Sequence, residues 1–454
     1  MHGGTEGRAM KNALLINPRV YDFKCHDFWM KPYGLLKIAY VLKQSGINVS
    51  LIDCMDRHAD GMPEEFKKSD KLGRGMFYSE EAQKPEIYKA VPRKYKQYGM
   101  PDELFKEKLR KTEKPDIVLV TSSMTYMYEG VFKAISVIKE IFPSTPIILG
   151  GTYATLCAEH AEKYSGAARV WKGSANGEYF KLLGKEIKTG LIPITDTEFA
   201  DIAPDYSLYN NLNSVSVRFS EGCPFACSYC AIKQTSADFR QRSAAAIMKE
   251  LENYAKLKIK NIAVYDDALL FKNSFIKSIL KSVIEGGFDF RFYTPNGLHA
   301  AYIDEETAIV MKKAGFMDLR LSLETSDETM QKASGGKVSN MQFSEAVKIL
   351  KGAGFLGKDI GAYILAGLPG QSTDTIKRDM EFTAQNKVLI KLANYSPIPE
   401  TADFDKLPTE MREQITKEPL MQNETYYLSV NPEYGYDENE KIKLLSADLN
   451  KKLL

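Results

Sequence analysis

Charge of one sign is the first thing this 454-residue chain lacks: 61 basic residues stand against 59 acidic ones, a formal balance of +2. So even a balance gives no field that would draw the chain to a nucleic acid or an acidic membrane, and neither is an expected partner. Long apolar runs are missing as well. Stretches such as DIVLV and PIILGG fall far short of the roughly 20 residues a bilayer span needs, so no membrane association is expected. The opening MHGGTEGRAMKN has no apolar core that would make it a secretory signal. It reads as an extension, with Met10 as an alternative start, and the expected setting is cytoplasmic, where thiols stay reduced and can bind metal.

Cysteine is scarce too, with six in the whole chain, which excludes a disulfide scaffold. Cys25, Cys54 and Cys157 lie singly and read as small buried hydrophobes. The other three crowd into EGCPFACSYC, residues 221–230, as Cys223, Cys227 and Cys230. Thiolates are soft ligands, suited to zinc or to iron and sulfide. A closed zinc site needs a fourth Cys or His, and His2, His26, His58, His160 and His299 are all distant in sequence. Three cysteines around an iron–sulfur cube instead leave one iron without a protein ligand, free to take a substrate or cofactor. A structural zinc site and an electron-carrying cluster stay open as alternatives.

The length allows two or three domains. Early in the chain NALLIN (12–17), NVSLID (48–53), DIVLVT (116–121), PIILGG (146–151) and ARVWKG (168–173) alternate with helical patterns such as YGLLKIAYVLKQSG and GVFKAISVIKEIF. Continuous apolar strands between amphipathic helices predict an α/β fold, a doubly wound, Rossmann-like parallel sheet over 11–190. Residues 54–113, rich in Lys, Glu, Tyr and Pro, interrupt it, with one short helix expected near 102–111. An insertion this long reads either as a lid or binding loop lying over the sheet, or as a surface excursion with its tyrosines packed down.

A second series begins near 205: SVSVRFS (214–220), NIAVYD (261–266), FDFRFYT (288–294), DLRLSLE (318–324), IGAYILA (360–366) and LIKLANY (389–395). Six βα units predict a partial (β/α)6 barrel of TIM type over 205–400, with chemistry at the strand C-terminal ends. The cysteines follow the first of those ends. The remaining 401–454 is too short for a domain and is expected to cover one edge of the barrel.

CPFACSYC resembles the Cys-x3-Cys-x-aromatic-Cys signature of the radical S-adenosylmethionine (SAM) enzymes, with Tyr229 as the aromatic. The resemblance implies a 4Fe–4S cluster on the three cysteines, SAM chelated at its open iron, reductive cleavage to a 5′-deoxyadenosyl radical, and an external low-potential donor such as flavodoxin or ferredoxin. Asp266 and Asp267 in VYDDALL stand where the family has a Gly-Gly-Glu-like turn touching the SAM amine. A carboxylate there can accept that ammonium's hydrogen bonds, or else cap the next helix. Ser322 and Glu324 in RLSLET resemble the pair that holds the SAM ribose or carboxylate. Asn296 in TPNGLH joins that neighbourhood, and each of the three could equally close a loop. YILAGLPGQ resembles the segment along the adenine, with Leu365 where isoleucine is more usual and with Gly367 and Gly370 permitting close approach.

A doubly wound domain ahead of such a barrel resembles, over about 11–400, the cobalamin-binding (class B type) radical SAM enzymes. Ligands in open parallel sheets bind beyond the strand C-terminal ends. The resemblance therefore implies cobalamin contacts at Ser122, Ser123 and Thr125 in TSSMTY, and at Gly150, Gly151 and Thr152 in ILGGTYATL, although capping and tight turns use the same residues. DRHADG sets Asp56, His58 and Gly61 in the Asp-x-His-x-x-Gly pattern of cobalt-ligating histidines, but after the second strand rather than the first. An exposed loop histidine is the alternative there. The implied activity is methylation of an unactivated carbon, or of phosphorus, in an unidentified small molecule or peptide. The alternatives are a cobalamin-free radical SAM enzyme (rearrangement, ring formation or methylthiolation) and a metal-binding electron carrier.

Overall fold

A computed structural model describes residues 10–236, 238–431 and 434–453; the stretch 1–9, expected as an extension, lies outside the described residues. All five apolar segments of the front domain form parallel strands: β1 Asn12–Asn17, β2 Asn48–Asp53, β3 Ile117–Val120, β4 Ile147–Leu149 and β5 Arg169–Val170. Their order across the sheet is β5-β4-β3-β1-β2. One face packs under helices Tyr33–Gln44 and Gly177–Ile187, the other under Asp102–Lys111 and Tyr128–Ile141. Burial on both faces is why β1 and β3 read as unbroken apolar runs. The order reverses between β1 and β3, the place where a doubly wound sheet opens a crevice beyond its strand ends.

The barrel segments form β6 Ser214–Val217, β7 Asn261–Val264 and β8 Arg291–Tyr293, then an unforeseen two-residue β9 Leu298–His299, then β10 Leu319–Glu324, β11 Ile360–Ala366 and β12 Leu389–Asn394. The first three make one parallel arc and the last four another. Where the arcs meet, Phe292 bridges to Phe316 and the Arg320 N–H donates to Thr294 Oγ1 at 3.2 Å. Val215, Val217, Ile262, Val264, Leu321 and Leu323 belong to the core between strands and helices. Period-two alternation turns their neighbours into the lumen.

The insertion closes the floor of this barrel. Asn213 donates to Ser69 Oγ at 3.2 Å, Arg291 donates to the Lys71 carbonyl at 3.4 Å, and Arg74 pairs with Asp318 at 3.2 Å. All three barrel residues stand at the N-terminal ends of strands. Trp29, carried in from the segment after β1, stacks on Tyr293 at 4.3 Å and donates from Nε1 to the Leu72 carbonyl at 2.7 Å. Helix Asp102–Lys111 lies over the front sheet as expected, and Tyr88 and Tyr95 are packed down against Phe23. The insertion therefore combines a cover for the sheet with a plug for the barrel.

The C-terminal tail covers the exposed edge of β12. Asn450, in the last helix Tyr436–Lys451, accepts from the Ile390 N–H at 2.8 Å and donates to the Ile390 carbonyl at 3.0 Å. It also reaches back to the front domain, where Tyr88 donates to the Leu420 carbonyl at 2.7 Å and Asn423 to Asp22 at 2.9 Å. Among the described residues no helix is long and apolar enough to cross a membrane.

Candidate active site

The cysteines lie on the loop that leaves β6, and that loop is held at both ends. At its start, both Asp266 oxygens are engaged: they accept from the Phe219 N–H at 2.9 Å and from the Ser220 N–H and hydroxyl at 2.6 Å each. Burial pushes the Asp266 pKa up to about 6 despite those donors. Farther on, the Ser228 hydroxyl donates to Asp403 at 2.7 Å, and the Asp403 N–H returns to the Ser228 carbonyl at 2.9 Å. Gly335, at φ +108°, passes so close that a Cβ there would lie 3.2 Å from the Ala226 carbonyl.

Cys223 and Cys227 are half-buried and Cys230 is exposed, all three as free thiols. Although Cys230 is exposed as a residue, desolvation by the protein around its sulfur pushes the thiol up to about 11, and the neighbouring Cys227 and Cys223 add to the rise. The three thiols are thus within electrostatic reach of one another, and a set of thiolates here calls for a metal cation to offset it. Among the described residues no three His, Cys, Asp or Glu side chains close on a single ion. Three thiols on one loop are the donor chemistry that an iron–sulfur group takes.

Around this loop the implied SAM contacts separate by role. Asp267 has a buried Oδ2 with no hydrogen-bond partner among the described residues; burial raises its pKa, which the Arg218 guanidinium partly offsets. Asp266 is committed to holding the chain, so of the two it is Asp267 that keeps an acceptor open for an ammonium. Burial raises the Tyr229 hydroxyl well above its ordinary range, with Glu324 and Cys227 beside it adding to the effect. Glu324 ends β10 with a left-handed backbone (φ +68°) at a register shift, and Lys337 lies 3.5 Å from its carboxylate. Backbone strain of this kind persists where the surroundings over-determine it, as at ligand sites.

Ser322 lies buried under Gly297, where a Cβ would stand 2.8 Å from its hydroxyl oxygen. Asn296 donates to the carbonyls of Tyr265 and Asp266 at 3.2 and 3.4 Å, tying two barrel loops together. Gly367, at φ +86°, does permit a close approach, but of the tail: a Cβ would lie 3.1 Å from Tyr434.

A cavity of about 320 Å³ lies between the domains, with Tyr229, Cys230, Leu365 and Asn394 on the barrel side and Thr125 and Thr152 on the front-domain side. Thr125 is fully buried, and neither its Oγ1 nor Asn394 Oδ1 finds a partner among the described residues. The other implied cobalamin contacts shape this wall from behind. Ser122 donates to the Gly150 carbonyl at 2.7 Å and accepts from the Ala154 N–H at 3.3 Å, while Ser123 contacts the Met127 sulfur at 3.2 Å. At Gly151, φ +96°, a Cβ would fall 2.3 Å from the Ser122 carbonyl, whereas at Gly150 it would meet nothing within 4 Å.

His58 lies apart from this wall. Its Nε2 lies 2.8 Å from the Asn213 side chain, below the N-terminal end of β6, and it lines a separate cavity of about 90 Å³ with Asp53, Asp56 and Tyr209. Because β2 is the edge strand, the loop after it meets the barrel at the end opposite the cysteines, and His58 does not line the inter-domain cavity. Two residues were given no role at the site from the sequence. Asn394 ends β12, so the strand-end rule reaches it. His299 ends a two-residue strand that leaves no periodic signal. It is 7% exposed, lies between Phe225 at 4.5 Å and Tyr302 at 4.8 Å, and neither ring nitrogen has a partner among the described residues.

Comparison with known proteins agrees with this architecture. Residues 217–383 match the family model for the radical SAM superfamily. Ribosomal protein uS12 methylthiotransferase RimO of Clostridium botulinum (strain Langeland) is 24% identical over 317 residues, covering 68% of this chain and 64% of that protein. The chain thus spans just under two thirds of that relative's length. Among solved structures, the radical SAM methyltransferase TsrM from Kitasatospora setae, with cobalamin and a [4Fe-4S] cluster bound, is similar at a TM-score of 0.65 and 15% identity, over 89% of this chain and 75% of that one. The cobalamin-dependent SAM radical enzyme OxsB, with aqua-cobalamin and SAM bound, is similar at a TM-score of 0.53 and 14% identity, over 91% of this chain and 56% of that one. The fold is therefore shared with these two proteins: a doubly wound α/β domain followed by a partial (β/α) barrel.

Proposed function

From the match of residues 217–383 to the radical SAM superfamily model, we propose that this chain is a radical SAM enzyme, dependent on cobalamin, that methylates an unactivated carbon of a small-molecule or peptide substrate. Cys223, Cys227 and Cys230 would hold a 4Fe–4S cluster, Asp267 the ammonium of SAM, and Thr125 and Thr152 one face of a cobalamin. Bound together, these groups supply reductive cleavage of the sulfonium and a methyl carrier, the electron coming from an external low-potential donor.

The carrying observation is the inter-domain cavity, which sets Cys230 and Tyr229 opposite Thr125 and Thr152. Its volume is at the small end for a cofactor pocket, which suits the junction where the reacting parts of the cofactors and substrate meet. The chain's own share is positioning and the exclusion of water. Asp267 offers a buried acceptor, Glu324 braces the Tyr229 hydroxyl, and Leu156, Leu365 and Ile398 supply apolar lining. Thr125 Oγ1 and Asn394 Oδ1 are polar atoms kept dry for a ligand to satisfy.

The test is anaerobic reconstitution with iron, sulfide and hydroxocobalamin, followed by gel filtration, metal analysis and incubation with SAM and a strong reductant. Iron and cobalt are expected to co-elute with the protein, and 5′-deoxyadenosine to accumulate. Iron without cobalt removes the cobalamin part of the reading; a loaded cluster that never yields 5′-deoxyadenosine removes the enzyme. The similarity to a methylthiotransferase favours a second reading, cobalamin-free methylthiolation, in which labelled SAM and host extract give a product carrying sulfur together with the methyl group.

A further inference from the structure

His299 is a buried base with nothing to bind. In either neutral tautomer one ring nitrogen donates and the other accepts, and here both are enclosed without a partner among the described residues. Leaving such groups unsatisfied costs about 1–3 kcal/mol each, so a ligand at this position is the natural complement. The ring is held firmly in place: β9 pairs His299 with Ser322 of β10, Tyr302 lies edge-on at 4.8 Å, and Phe225 packs against it at 4.5 Å.

Phe225 points to what that ligand is. It lies midway between Cys223 and Cys227, and its ring belongs to an aromatic nest with Phe271 (5.7 Å) and Tyr302 (6.1 Å). The nest therefore docks the cysteine loop directly onto His299. Lys337 comes from another loop, which touches the cysteine loop at Gly335, where a Cβ would lie 3.6 Å from Cys227 Cα, and its ammonium lies 3.5 Å from Glu324.

We propose that His299 donates a hydrogen bond to a sulfur of the iron–sulfur group held by Cys223, Cys227 and Cys230, and that with the Lys337 ammonium it sets that group's reduction potential. The inference rests on the proposed function, since it needs the cluster. Hydrogen bonds to sulfur and nearby positive charge both favour the more negative, reduced state. Their effect is to raise the potential of a centre that is otherwise very hard to reduce, within reach of an external low-potential donor. The imidazole stays neutral in this role, so it acts through its N–H dipole while Lys337 supplies the charge.

The experiment is redox titration of the reconstituted protein, followed by electron paramagnetic resonance, for the wild-type chain and for H299F, H299L, H299Q and K337M. Iron and sulfide contents are measured first. The expected result is wild-type cluster content in the variants, a midpoint shifted to more negative potential in H299F, H299L and K337M, and partial return towards wild type in H299Q, whose amide can still donate. A wild-type midpoint and unchanged spectrum in any loaded variant lacking the imidazole overturns the assignment to His299. If both apolar variants fail to load while H299Q loads, a K337M midpoint at the wild-type value overturns the charge component, and an H299Q midpoint and spectrum identical to wild type overturn the imidazole's specific role. A wild-type chain that assembles no cluster refutes the proposed function instead, and is distinguishable from either result.

Discussion

Two adjacent aspartates show how position within a loop divides structure from function. Asp266 accepts three hydrogen bonds from the start of the cysteine loop, whereas Asp267 leaves a buried oxygen unpaired. D266N turns one acceptor into a donor facing N–H groups, which is expected to cost about 2–3 kcal/mol in denaturant unfolding and to loosen iron retention. D267N removes a buried charge that has no hydrogen-bond partner, so apo stability is expected to hold or rise slightly while SAM affinity falls roughly tenfold, about 1.4 kcal/mol. Equilibrium binding to the reconstituted protein measures the second effect. His299 adds a pH dependence: burial, with a smaller contribution from Lys337, lowers its pKa from the ordinary 6.5 to about 3. A base whose folded pKa is depressed gives stability that is present above the unfolded value and is lost as pH falls towards the folded one. Apo protein is therefore expected to lose roughly 3–5 kcal/mol from this group between about pH 6.5 and 3, and H299F to lack that component when urea midpoints are followed across the range.

Elements that are buried on both faces were readable from composition alone, because each of their positions had to be apolar. β1 and β3 belong to this class, whereas the barrel strands β6 (SVSV) and β10 (LRLSLE) showed through period-two alternation. β9 and the short strands of the insertion, such as Ser79–Glu81 and Lys96–Tyr98, were not readable, since two or three residues are too few to carry a period. The cysteine set was legible because its spacing is local. The separation of Asp266 from Asp267, and the position of His58, depend on which strand lies at the sheet edge and on contacts across the chain. The tail illustrates the same limit: its covering role was expected, but not the residue that performs it. Asn450 satisfies both the N–H and the carbonyl of Ile390 on edge strand β12, which also denies that edge to another chain. N450A is expected to cost about 2 kcal/mol, to speed exchange of the Ile390 amide hydrogen, and to increase aggregation on mild heating.

At the scale of the whole molecule, the front domain and the barrel are joined at both ends of the barrel. Above, they share the inter-domain cavity; below, the insertion and the segment after β1 fill the floor. Trp29 is the centre of that lower joint. It is 3% exposed, stacks on Tyr293 at 4.3 Å with the rings 8° from parallel, and its own carbonyl accepts from the Ser216 hydroxyl at 3.1 Å. A cavity whose two walls belong to different domains holds its shape only if their relative orientation is fixed, and the joint that fixes it is remote from the cysteines. W29A opens a hole in the floor and removes the Leu72 hydrogen bond, a loss of about 3–5 kcal/mol. That loss falls on the contact between units, not on the core of either. Calorimetry of the wild-type apo protein is expected to show one cooperative transition, and W29A two, the earlier one reporting the front domain and its insertion. In the same variant, cluster content is expected to stay near normal, because the cysteine loop is braced by Asp266, Asp403 and the loop at Gly335, while cobalt retention falls with the loss of the opposing wall. A single transition with normal cobalt retention would locate the coupling elsewhere, in the tail contacts of Leu420 and Asn423.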